Sequence, residues 1–140
     1  MRKIVLDTCV FVSALLGPSG ASRSALRACL EGRYLPLMGN ALFLEYEDLM
    51  ARDRLFAQCA LDTKERSILL DAFLSTCRWK TVYYGWRPNL KDEADNHLIE
   101  LAVAGGADFL VTKNIKDFQN PELYFDGFRV IDPVTLLKEG

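Results

Sequence analysis

Histidine is almost missing from this chain: His97 stands alone among 140 residues. A metal-free ribonuclease that works through paired general acid and base imidazoles is excluded, because that chemistry needs two of them. The four cysteines, Cys9, Cys29, Cys59 and Cys77, lie far apart with no C-x-x-C pair. That spacing removes a zinc site and a disulfide framework, and reduced thiols are the expectation. No G-x-x-x-x-G-K-[ST] or G-x-G-x-x-G run occurs, so neither P-loop nucleotide hydrolysis nor dinucleotide redox chemistry has its phosphate cradle. Ser13 and the thiols lack the adjacent base and orienter that a nucleophile requires.

An excess of positive charge is missing too. Lys and Arg number 17 against 19 Asp and Glu, a formal net charge of −2, so there is no global basic footprint and any polyanion must be held locally. No apolar run reaches the ~18 residues of a membrane span. Met1-Arg2-Lys3 and the apolar stretch to Leu16 imitate a signal peptide, but Asp7 interrupts that stretch, and removing it would delete the first strand. A cytoplasmic protein without membrane contact is expected. With half the residues hydrophobic and no proline-rich, glycine-rich or low-complexity segment, the chain should pack as one domain over residues 1–140.

What is present alternates. Ile4–Leu6, Tyr34–Met38, Trp79–Tyr84, Phe109–Thr112 and Phe128–Ile131 read as strands. Helical patterns lie between them: Val10–Leu16, Ser22–Leu30, a helix capped by Asn40 and running to about Ala51, and one or two helices over residues 53–77. In that last stretch Asp62 is a cap and Ile68, Leu69, Ala72 and Phe73 recur at helical spacing. Asp92–Gly106 carries strong helix signals, with Asp92 as cap and Leu98, Leu101 and Ala102 as an apolar stripe; Asp132-Pro133 opens a terminal helix. The alternation predicts an α/β fold with a mostly parallel sheet covered on both faces.

In such sheets, sites form beyond the carboxyl ends of the strands. Asp7 sits at the first strand's exit, although it could equally serve only as the cap of the next helix. Asp92 and Asp95 are three apart at a helix start, which also suits a capping box. Thr112, Asn114 and Asp117 follow a later strand and would offer a hydroxyl, an amide and a carboxylate from one turn. Glu45, Glu47 and Asp48 share an early helix, and spacing alone does not choose among them. Lys113 and Lys116 are the cations nearest in sequence to these acids, suited to positioning a phosphate without reading a base.

The motifs Ile4-Val5-Leu6-Asp7-Thr8, Glu45 on an early helix, Asp92-x-x-Asp95-Asn96, and Val111-Thr112-Lys113-Asn114 with Asp117-Phe118 resemble those of PIN-domain nucleases. The likeness runs from Ile4 to about Pro133, nearest the branch of VapC-like toxins. It implies a three-layer α/β/α sandwich with a central parallel sheet, Mg²⁺ or Mn²⁺ at an acidic site, and endonucleolytic hydrolysis of single-stranded RNA. By position, Asp7, Glu45, Asp95 and Asp117 match the acidic quartet. Asp7, Asp95 and Asp117 are expected to hold the metal, Glu45 to be a ligand or to position the water, and Asp92, Thr112 and Asn114 to support them. A homodimer and an inhibitory antitoxin protein are implied in the same way.

One departure stands out: the family commonly has Asn two residues after the first Asp, where this chain has Cys9, so activity is expected to be differently tuned. The readings set against the nuclease are a catalytically silent PIN-like module that binds protein or RNA, and an aspartate-based phosphatase. The phosphatase pattern asks for a second Asp at the position of Cys9.

Overall fold

The structure, a computed structural model, describes residues 1–17, 20–81, 96–118 and 127–139, and within them every side chain but those of Asn96 and Asp117. Five strands form one sheet: β1 (Arg2–Leu6), β2 (Tyr34–Met38), β3 (Arg78–Trp79), β4 (Phe109–Val111) and β5 (Arg129–Ile131). Their order is β3-β2-β1-β4-β5, and every pairing is parallel. Ile4-Val5-Leu6 and Phe109-Leu110-Val111 are buried throughout, as unbroken apolar strands must be when helices cover both faces.

Among the described residues six α-helices supply that cover: α1 (Thr8–Leu16), α2 (Ala21–Leu30), α3 (Asn40–Met50), α4 (Thr63–Thr76), α5 (Asn96–Gly105) and α6 (Pro133–Glu139). β2 shows the two faces directly, because successive side chains of a strand point to opposite sides. The Tyr34 hydroxyl reaches the backbone carbonyl of Leu136 in α6 at 3.4 Å, whereas Leu37, three residues on, meets Gly105 of α5. α2 packs against α1, α4 and α6, and α5 lies on β1, β2 and β4. The architecture is the expected three-layer α/β/α sandwich. Among the described residues no helix is long and apolar enough to cross a membrane.

Local chemistry is plainest at the start of α4. Asp62 and Glu65 form a reciprocal capping box at the start of α4, each side chain accepting the other's backbone N–H, which satisfies two otherwise orphaned donors. Three expectations need correction. Gly39, not Asn40, is the N-cap of α3, and Asn40 is its first helical residue. The buried stripe of α4 is Arg66, Leu70 and Phe73, while Ile68 is 58% exposed and Ala72 also faces outward. The stripe is rotated because Arg66 occupies an inward position, its guanidinium 4.5 Å over the Phe56 ring and donating to the Leu61 carbonyl; a charged residue there hides the stripe from a reading of apolar spacing. The third strand is Arg78–Trp79, Lys80 and Thr81 are not part of it, and residues 82–84 of the expected strand, like the expected start of a helix at Asp92, lie outside the described residues.

α5 lies close on the sheet because Gly105 has no side chain. A Cβ at that position would sit 2.5 Å from Leu37 Cδ1, and Leu37 is itself only 1% exposed. Gly105→Ala should therefore cost roughly 1–2 kcal/mol, overpacking outweighing the better helix propensity of alanine. Denaturant melts that show the variant as stable as the parent would mean Leu37 repacks freely.

Candidate active site at the β1 and β4 exits

The strand order reverses between β1 and β4, and a crevice forms at such a switch point. The backbone holds it tightly. Asp7 N–H continues the ladder to the Val111 carbonyl at 2.9 Å, and Thr112 N–H reaches the Ile131 carbonyl at 2.9 Å. Residues 7 and 112 are thus set side by side.

Asp7 occupies the N-cap position of α1, yet no hydrogen bond from its side chain caps the helix. Its carboxylate instead accepts from the Thr112 hydroxyl at 2.8 Å and, weakly, from the Thr8 hydroxyl at 3.4 Å. The cap-only reading of Asp7 does not hold. The Thr8 hydroxyl has a stronger acceptor, Glu45 Oε1 at 2.6 Å, so the Asp7 and Glu45 oxygens that flank it lie no more than 6.0 Å apart. Two acids remote in sequence share one hydroxyl.

Their environments push them in opposite directions. Burial, with Asp7 only 5% exposed, raises its carboxyl above the ordinary range; the Thr112 hydrogen bond opposes this, and the Glu45 charge adds to it. For Glu45 burial is the largest single influence and acts upward. The hydrogen bonds from His97 and Thr8, with the charge on His97, outweigh it and leave the carboxyl below its usual range. Of the three acids on α3, only Glu45 is turned toward the site. Asp48 is exposed and paired with Arg52 at 2.6 Å, and Glu47 is exposed.

Thr112 is fully buried, and its hydroxyl both donates to Asp7 and accepts the backbone N–H of Asn114 at 3.0 Å. Asn114 therefore supports the site through its main chain, while its side chain is exposed. Cys9 Sγ lies 3.7 Å from Thr112 Oγ1 and accepts the Lys113 N–H at 3.4 Å. Burial and the Asp7 charge raise the thiol, so it stays protonated and packs where an amide was expected. The Lys113 ammonium donates to Ser13 Oγ at 3.0 Å. It borders an open groove of about 660 Å³ that Thr8, Cys9, Ser13 and Asn114 also line. Lys116 is exposed in the 3-10 turn Ile115–Phe118.

Asp92 and Asp95 lie outside the described residues. The backbone of Asp117 is in the 3-10 turn after β4, and its side chain is not described. Among the described residues no group of three or more His, Cys, Asp or Glu side chains could hold a metal. The described donors nevertheless suit a hard cation: two carboxylates and two hydroxyls, all oxygen. An acid made reluctant to ionise by burial, and further by a second acid, is also what a divalent ion relieves. His97, the chain's one imidazole, places its Nε2 2.6 Å from Glu45 Oε2.

A parallel three-layer sheet with paired acids at its switch point defines a class of fold and crevice, and the comparisons are more specific. The chain belongs to the PIN-domain family, whose profile matches residues 3–116. PIN domains are generally nucleases, typically with divalent metals. Solved chains match as well, among them the crystal structure of PAE2754 from Pyrobaculum aerophilum. That likeness has a TM-score of 0.55 at 17% identity and covers 99% of this chain and 88% of that one; at this identity it speaks for the fold alone. No curated protein matches.

Proposed function

We propose that this chain is a Mg²⁺- or Mn²⁺-dependent endoribonuclease acting on single-stranded RNA, a cytoplasmic homodimer, and the toxin of a toxin–antitoxin pair. The observation that carries the nuclease reading is Asp7: a buried carboxylate at the β1 exit, released from capping duty and sharing the Thr8 hydroxyl with Glu45. A buried acid of this kind is destabilising unless a proton or a cation answers it.

In this reading Asp7, Asp95 and Asp117 hold the metal, with Asp92, Thr112 and Asn114 around them. When bound, the metal supplies a nucleophilic water at neutral pH and stabilises charge on the phosphoryl and leaving oxygens. Glu45 orients that water. Its carboxylate is kept ionised and pinned through both oxygens, each retaining a lone-pair site. Lys113 and Lys116 contact phosphate and place the strand without reading its sequence. The toxin and antitoxin part rests on the motif order shared with VapC-like proteins. Growth arrest on expression, relieved by a small protein encoded next to it, is its test.

Purified protein should cleave single-stranded RNA only with Mn²⁺ or Mg²⁺ present. Metal at about 100 times its dissociation constant should add about 2.7 kcal/mol of stability, seen as a higher melting temperature. Protein that neither cleaves nor shifts its melting temperature at millimolar metal is the silent binding module instead.

A further inference from the structure

We propose that His97 is a positioning residue that fixes the Glu45 carboxylate for the reaction, an inference that rests on the nuclease reading. The contact joins α5 to α3 across 52 residues of sequence, at 2.6 Å between His97 Nε2 and Glu45 Oε2. Thr8 takes the other oxygen at 2.6 Å. One donor on each oxygen leaves the carboxylate no rotation about its last bond, whereas Thr8 alone would leave a hinge. A glutamate has three rotatable side-chain bonds, so orientation must come from outside it.

Among the described residues the ring makes no other hydrogen bond that would give it a different purpose. Its Nδ1 is buried and has no partner among the described residues. Facing a carboxylate, which only accepts, Nε2 must carry a proton and act as the donor. Orientation is what the contact provides.

Glutamine and asparagine separate this from packing. Gln Nε2 stands as many bonds from Cβ as His Nε2, and Asn reproduces only the reach of Nδ1. His97→Ala should lower kcat about 10- to 100-fold, the usual effect of removing an outer partner of a functional group, with KM and the Mn²⁺ dissociation constant from calorimetry within about twofold of the parent. His97→Gln should restore most of kcat and His97→Asn should not. In a Glu45→Gln background His97→Ala should add little, because both changes remove one function.

A reading independent of activity is available because this is the chain's sole histidine. A slowly exchanging imidazole Nε2–H resonance is expected in the wild type and should disappear in Glu45→Ala. Wild-type cleavage that His97→Ala leaves unchanged, or that His97→Gln and His97→Asn restore equally, overturns the proposal while the nuclease reading stands. Persistence of the resonance in Glu45→Ala also overturns it. A wild type that does not cleave RNA with Mn²⁺ defeats the nuclease reading, and this inference with it.

Discussion

Asp7→Asn should reduce Mn²⁺-dependent RNA cleavage by roughly 10³-fold and leave the metal-free protein no less stable than the parent. On the proposed reading the loss follows from removing one charged ligand: about 4 kcal/mol of metal-mediated stabilisation in the transition state would be a thousandfold in rate. The gain follows from the fold. Asp7 is 5% exposed, and burial together with the Glu45 charge raises its carboxyl, so a neutral amide of the same shape meets the site more easily than the anion does.

The pH dependence has a definite sign. Because the folded value of Asp7 lies above its ordinary 3.8, its proton stabilises the fold fully below that ordinary value, and this contribution is lost as pH rises through the raised one. Glu45 acts oppositely. Its contribution is present above its ordinary 4.5 and is lost as pH falls through the lowered value. Asp7→Asn should remove the first of these slopes from a plot of metal-free stability against pH and leave the second. Chemical denaturation from pH 3 to 8, alongside single-turnover cleavage, measures both halves. A variant that cleaves like the parent would end the metal-site assignment, and one that is several kcal/mol less stable would mean the carboxylate is structural.

Phe11→Ala is expected to be the costliest single change in the core, about 3–5 kcal/mol. Phe11 is fully buried on α1, edge-on to Tyr46 at 5.3 Å and tilted against Phe73 at 5.4 Å. These three rings join α1, α3 and α4. Tyr46 in turn donates to the Leu6 carbonyl at 2.7 Å, the last residue of β1 before Asp7. Against a typical total of 5–15 kcal/mol, the truncation removes a large share of stability and should lower the melting temperature by roughly 10–15 °C. It should also slow cleavage beyond the unfolded fraction, since Thr8 and Glu45 stand on two of the helices that lose their common contact. Guanidinium melts give the first effect and activity at a temperature of full folding the second. A loss under about 1 kcal/mol would show that the cluster closes over the void.

Strands and their exits were legible because a parallel sheet covered on both sides writes itself as apolar runs ending in a polar residue, and Ile4-Val5-Leu6-Asp7 is such a run. The capping box of Asp62 and Glu65 was half legible, through Asp62, because it spans only three residues. Glu45 could not be separated from Glu47 and Asp48 by spacing; what singles it out is the Thr8 hydroxyl, 37 residues away. The contact of His97 was not legible for the same reason, since a lone imidazole shows nothing of a partner 52 residues off. The face of α4 was missed because Arg66 buries its stem and stacks its head on Phe56, which no hydropathy pattern records.

The Thr112 hydroxyl carries one proton, which it donates to Asp7, while the same oxygen accepts the main-chain amide of residue 114. The carboxylate is therefore steered by the pose of a peptide bond in the segment that also bears Lys113, whose ammonium borders the groove. That aim is open to any side chain at position 114 except proline, the one residue with no amide hydrogen to give.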